Sequence, residues 1–559
     1  MSGIDKNIPI KNEIHHHVKK IHSPCYLNIN TYINTAGLLN GAADLRSISR
    51  EQDQSLANEF ERCSIYSAPV GLKHSDCVCL PPDILVYRAK NKDSHTVKTL
   101  TCSELNGTGF GGIHNLPGEQ YRTIMDTFRL AARQILQSDP GPRLIVIANS
   151  GRELSVRKEG RYPVEENNKL MYEKILIADI IADELDCEVI SLDDLSHNYF
   201  RIIDELTCEK VNCKITDSEF EERSEAAHQL AFHKMEKYCK QNLVVIGYTR
   251  DVVDCCQINN GQPYLFGRAI NGFMNDRAAY NLCKSKNKPL DLSSFNMINV
   301  SFKEGADKYA ATYAISLFNE SAEARELPSL ASERGFTWDL LGLDKVLHLN
   351  DKNNIQLCND EQVKYFSGVT EQDGISGIMH TLKEFQSRGL IPLFKPSGTG
   401  QGQGIIAYQQ GEKKQDFKKR FTENLEYIKK SYSNGAGYPF LVEPLLQLDK
   451  DSNGHLYDLR FVIYQKNDGQ GNCNFHSIPL VIKKSAQTYS DGDYDACPKF
   501  EPTNATYSVK KTNQDYTTFT EPLCTISNIN KTGLNLEQVK SISLYLSAFQ
   551  CWLLKTRYI

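Results

Sequence analysis

Two rhythms of hydrophobic and polar positions divide this chain. From about residue 140, short apolar runs that read as buried strands take turns with stretches whose apolar residues recur every three or four positions. The runs are Arg143 to Ala148, Cys187 to Leu192, Leu243 to Gly247, Met297 to Phe302 and Lys345 to Leu349. The spacing predicts helices at 169–185, 219–239 and 307–318; the first three runs, alternating with helices, predict βαβ units around a parallel sheet, and Met297 to Phe302 and Lys345 to Leu349 follow as further strands. Ligands of such sheets sit at the carboxyl ends of the strands, which nominates Asn149, Arg152, Glu153, Asp193, Tyr248 and Arg250 to line a crevice.

Upstream, residues 1 to about 100 are polar and irregular apart from short runs such as Ile84 to Tyr87, and no chemistry attaches to them. Gly107 to Gly112 match Gly-x-Gly-x-x-Gly after an expected strand, Val97 to Thr101. The next helix starts only after Pro117, with Tyr121, Ile124, Met125, Phe128, Ala131, Ile135 and Leu136 on its apolar face. A dinucleotide turn must open directly into its helix, so this segment reads as an ordinary turn.

Downstream, Ile375, Ile378, Met379, Leu382 and Phe385 mark a helix that ends at Gly389 and delivers the chain into 393–408. There Gly398, Gly400, Gly402 and Gly404 fall at every second position. In an extended segment they would share one face and leave bare backbone able to approach phosphate, with Lys395 as a cation just upstream. The lysine precedes the glycines, so the stretch is not a P-loop. Phe440 to Leu446 then forms an apolar strand that contains Glu443 and Pro444. The strand His455 to Tyr464 carries Asp458 and Arg460 on one face and Leu459, Phe461 and Ile463 on the other.

These segments resemble the ATP-grasp superfamily, and Asp458-Leu459-Arg460 is similar to tubulin tyrosine ligase-like enzymes. Further along, Ile482 to Tyr489 and Thr503 to Lys510 follow in an order similar to that branch. The resemblance covers about 340–510 and rests on the order of motifs. It implies an α/β fold, α+β in the C-terminal part: a region of unknown role (1–139), a Rossmann-like pre-ATP-grasp domain (140–300) and an ATP-grasp domain (301–559). It implies Mg2+ and ATP as cofactors, with Lys345, Lys395, Gly400, Gly402, Gly404, Glu443 and Leu446 around the nucleotide and Arg460 and Lys483 at the transferred group. The activity implied is a carboxylate–amine ligase working through an acyl phosphate on small molecules, a peptide or a protein. An ATP-grasp kinase and a non-catalytic nucleotide-binding or interaction protein stay open as alternatives. The family's closing Glu-x-Asn does not follow Arg460; either Glu501 and Asn504 hold metal together with Asp458, or the last part of the fold is missing.

Composition narrows the partners. A formal net charge of −5 over 559 residues gives no overall attraction to polyanions, and the basic group Lys413, Lys414, Lys418, Lys419 and Arg420 reads as a solvated helix face, so no nucleic-acid partner is expected. Seventeen cysteines without zinc spacing read as reduced thiols in the cytoplasm. The run His15 to His17, in a charged, polar stretch, is not read as a metal site. No apolar run reaches the roughly 18–20 residues of a membrane span.

Overall fold

A computed structural model describes residues 53–67, 79–90, 96–105, 110–138, 141–149, 164–192, 195–196, 235, 238, 240–291, 293–298, 345–349, 355–359, 367–397, 399, 404–409, 411–431, 437–467, 473–490, 503 and 519–558. Among these, 128–298 form one compact unit, and 53–127 with 345–558 form a second. The expected helices near 219–239 and 307–318 lie almost wholly outside the described residues.

The chain enters through helix α1 (Gln54–Cys63), whose N-cap Asp53 accepts a hydrogen bond from the Leu56 amide at 2.9 Å. That bond satisfies one of the amides a helix start leaves open. Strands β1 (Pro82–Lys90) and β2 (Thr96–Leu105) pair antiparallel. Helix α2 (Gly118–Gln137) begins after Pro117, as the apolar spacing predicts.

In the first unit, β3 (Leu144–Asn149), β4 (Glu188–Ser191), β5 (Leu243–Tyr248), β6 (Gly272–Met274) and β7 (Asn296–Ile298) form a parallel sheet in the order β7-β6-β3-β5-β4. Every residue of β3 is buried, which explains its unbroken apolar run: a parallel sheet covered on both faces has no polar side. Helix α3 (Val164–Leu185) lies against β3 and β5. The strand expected over Met297–Phe302 is described only as Asn296–Ile298.

The second unit holds two antiparallel sheets. Strands β8 (Lys345–Leu349) and β9 (Ile355–Asn359) extend β2 at one end of the larger sheet. The smaller sheet is built from β10 (Ser367–Val369), β11 (Pro392–Ser397), β12 (Ile406–Ala407) and β13 (Gly437–Pro444), in the order β10-β13-β11-β12. Helices α5 (Gly374–Ser387) and α6 (Lys414–Ser431) cover one of its faces; α4 is Asp276–Lys286 of the first unit. Ile378, Leu382 and Phe385 of α5 meet Phe417, Phe421 and Ile428 of α6 over Phe394, Phe440 and Val442. The 3–4 spacing read from the sequence is therefore the buried stripe.

The long hairpin β14 (His455–Asn467) and β15 (Cys473–Thr488) belongs to the larger sheet, whose main path runs from the short strand Tyr66–Ser67 through β15-β14-β1-β2-β8-β9. The C-terminal helix α7 (Leu536–Tyr558) packs on β15 through a face that buries Val539, Ile542 and Leu546. No helix among the described residues is long and apolar enough to cross a membrane.

Candidate functional site

Alternation along β11 and β13 sorts their side chains by face. Phe394 and Val442 are cross-strand partners in the core beneath the helices, so Lys395 and Glu443, each one residue away, lie on the helix-free face. There Lys395 Nζ meets Glu443 Oε1 at 2.6 Å, with the lysine side chain 18% exposed and the glutamate 3%. The ion pair is diagonal, because Leu393 stands opposite Glu443 and Leu441 opposite Lys395.

The glycine-rich stretch between β11 and β12 is described only in part; Gly400 and Gly402 lie outside the described residues. Gly404 departs from the extended strip the spacing suggested, because its φ is +79°. A Cβ there would press on Ile428 and come within 3.0 Å of the Pro396 Cγ. The Gly404 carbonyl also accepts a hydrogen bond from Asn424 Nδ2 at 2.7 Å. Gly404 thus serves the close approach of the loop to α6, and that backbone requirement explains the glycine without a ligand.

A short strap carries the chain from β13 to the larger sheet. The Leu445 amide donates to the Ile391 carbonyl at 2.7 Å, the Gln447 carbonyl accepts from the Arg88 amide at 2.9 Å, and the Asp449 amide donates to the Val86 carbonyl at 2.7 Å. Arg88 Nε and Asp449 Oδ1, 3.0 Å apart, reinforce the anchorage. Leu446 stands between the last tie to the small sheet and the first tie to the large one.

On the larger sheet, Asp458 and Arg460 share a face, as strand alternation predicts, and two further residues join them. Asp83 of β1 stands directly opposite Arg460 and receives both prongs of its guanidinium, Nε to Oδ1 and Nη2 to Oδ2, each at 2.6 Å. Arg460 Nη1 donates to the Phe110 carbonyl at 2.9 Å. Lys483 of β15, directly opposite Asp458, places Nζ 3.0 Å from Asp83 Oδ2 and 3.0 Å from Asp458 Oδ2. Thr503 donates its hydroxyl to the same Asp458 oxygen at 2.6 Å, while Asp458 Oδ1 is buried without a hydrogen-bond partner among the described residues.

Electrostatics separates the two acids. Burial raises the Asp83 pKa, but the charges and hydrogen bonds of Arg460 and Lys483 outweigh it and hold the carboxyl well below the usual range. For Asp458 burial dominates and the Asp83 charge adds to it, so its pKa rises to about 6 although Lys483 and Thr503 oppose the shift.

Several sequence-nominated residues stand elsewhere. Lys345 opens β8, which pairs with β2 and β9 of the larger sheet, so it does not share a sheet with Lys395. Glu501 and Asn504 lie outside the described residues. Glu443 and Arg460 are not partners of each other; each has its own counter-ion. His455 and His476 sit in strands, with Nδ1 at 2.9 Å from the Ser485 carbonyl and 3.0 Å from the Glu61 carbonyl. In the first unit, Asn149 and Tyr248 end neighbouring strands, and the Asn149 carbonyl accepts from Thr249 Oγ1 at 3.0 Å; Arg152, Glu153 and Asp193 are outside the described residues.

Asp83 carries no signal in the sequence pattern. It precedes the run Ile84 to Tyr87, but its partner Arg460 lies 377 positions away, and no local pattern links them. The second glycine-rich segment belongs here too. Gly111, at φ +61°, lies over the guanidinium, where a Cβ would stand 2.6 Å from Arg460 Nη1.

The arrangement does not fit a metal role for Asp458 as placed. Asp458 Oδ2 already has a cation, Lys483, and Oδ1 is buried.

These features define a mixed α/β protein that holds, among the described residues, one parallel sheet and three antiparallel sheets, the third a small one of Cys256–Asn259, Gln262–Leu265 and Arg268–Ala269 in the first unit. No family model and no curated protein matches the chain. Among solved structures, a glutathione synthetase-like effector from Globodera pallida, in its apo form, aligns with 80% of this chain and 84% of its own at 10% identity and a TM-score of 0.25. That likeness is too distant to assign a fold family or an activity.

Proposed function

We propose that the second unit binds Mg·ATP against the face of the small sheet that carries Lys395 and Glu443, and uses it to activate a carboxylate for attack by an amine. A carboxylate oxygen attacks the γ-phosphorus and releases ADP; the amine nitrogen then attacks the acyl carbon, expels phosphate and gives up a proton. The observation that carries this reading is the Lys395–Glu443 pair, a lysine fixed by a buried acid on the face of the sheet opposite its two helices, with the glycine-rich loop following directly. Phosphoryl transfer depends mostly on positioned cations and N–H donors, and a lysine held in one rotamer is such a donor. Leu446 and the strap beside it supply backbone groups next to that face. Magnesium enters with the nucleotide phosphates.

A second reading, nucleotide binding without turnover, draws on Arg460, whose Nε, Nη1 and Nη2 all have partners within the protein. ADP and phosphate release, measured with Mg2+, hydroxylamine and a mixture of amino acids and peptides, separates the two. A ligase forms a hydroxamate, and Lys395→Ala reduces ADP formation by about 100-fold or more, the order expected when one positioned charge is lost. Transfer to a hydroxyl without phosphate release would indicate a kinase. Nucleotide binding with no ADP from the wild type would leave only the binding role.

A further inference from the structure

We infer that Lys483 is a built-in cation: its ammonium occupies, between Asp83 and Asp458, the place that a divalent ion takes between carboxylates of neighbouring strands. The two acids belong to β1 and β14, which pair directly, and Lys483 reaches them from β15 on the far side of β14. Its Nζ is equidistant from the two, 3.0 Å from an oxygen of each. Asp83, Asp458 and Arg460 are buried and Lys483 is partly so; the lysine side chain is 13% exposed, the arginine 11%, and the aspartates 5% and 6%. Among the described residues two carboxylates face one lysine and one arginine, so these four groups balance in charge. A divalent ion added beside Lys483 would add two positive charges to these balanced groups in a largely buried site, which burial disfavours.

The acid pair would suit an ion if the ammonium were absent. Its donors are hard carboxylate oxygens, the kind that Mg2+ and Mn2+ prefer, and the Thr503 hydroxyl stands on Asp458. Asp458 also keeps Oδ1 buried and unpartnered among the described residues. Each oxygen would need to close by about 1 Å to pass from an ammonium contact to a metal bond. The ammonium therefore supplies positive charge at this point of the sheet without a metal, and strand pairing, rather than ion concentration, keeps it there. The inference rests on the ion cluster and not on the nucleotide reading.

The test is Mn2+ binding to the full chain without nucleotide, followed by electron paramagnetic resonance, so that its result is separate from any failure of ATP turnover. Wild type and Asp458→Asn should bind Mn2+ equally, because neither offers this site. Lys483→Ser should gain one saturable Mn2+ site at least about ten-fold tighter than any in the wild type, the gain expected when an opposing charge is removed from an oxygen-ligand pair. Adding Asp458→Asn to Lys483→Ser should abolish it. If Lys483→Ser is unstable alone, Mn2+ should restore its cooperative unfolding, because the ion replaces the lost charge. A wild-type site that Asp458→Asn removes would overturn the inference, as would a Lys483→Ser chain that Mn2+ neither binds nor restores.

Discussion

Asp458 and Asp83 are near neighbours with opposite responses to pH. The Asp458 pKa rises from 3.8 to about 6 on folding, so the folded state favours its protonated form. Its contribution to stability is present below the unfolded value and is lost as pH rises through about 6. Asp83, held well below 3.8, contributes above that value and loses its contribution only as pH falls through its folded pKa. Between about pH 7 and about pH 5 only the Asp458 step operates for this pair. Wild-type stability should therefore rise relative to Asp458→Asn as pH falls across that window, as urea unfolding at both ends would measure. Equal changes in the two proteins would remove Asp458 as the cause. At this scale the sequence is legible in part: strand alternation puts Asp458 and Arg460 on one face, but the partners of each cannot be read from it, because they come from β1 and β15.

Among the elements, the small sheet and its helices are the most legible. The stripe Ile378, Leu382 and Phe385 follows from helical spacing alone, and the chain runs from α5 through β11 to β13 in the order its apolar segments predict. The structure adds the aromatic interlock. Phe421 packs 5.6 Å from Phe394 and 4.9 Å from Phe440, centroid to centroid, and so joins α6 to two strands. Phe421→Ala should cost about 3–5 kcal/mol, the range for emptying a fully buried aromatic site. Denaturant unfolding would measure it, and a loss below about 1 kcal/mol would mean that this layer closes over the gap. The loop beside it shows the limit of a pattern argument. Alternating glycines suggest an extended phosphate strip, yet Gly404 is left-handed and serves the approach to α6, a demand set by a helix that follows in the chain.

Across the whole molecule, residues 82–90 and 96–105 of the N-terminal region prove to be strands of the larger sheet. β1 lies between β14 and β2, and Asp83 within it pairs with both Arg460 and Lys483. A fragment spanning 301–559 would lack β1 and β2, leaving one edge of β14 unpaired and two buried cations short of an acid. Unpaired buried charge and an open strand edge both disfavour folding. Such a fragment should show no cooperative thermal transition by circular dichroism, whereas the full chain should. A transition in the fragment matching that of the full chain would show that β1 is dispensable.

Local periodicity by itself determined much about this protein: the parallel α/β unit, the helix that enters the glycine-rich stretch, and the strands of Lys395, Glu443, Asp458 and Arg460. Those features depend on neighbours a few positions apart, where the 2- and 3.6-residue repeats act. Only the tertiary structure decided that Lys395 meets Glu443, that Asp83 from the N-terminal region meets Arg460, and that Lys483 stands between two acids. Burial makes an unpaired charge costly, so each of these groups takes its counter-charge from whichever strand the sheet places beside it, however distant in sequence.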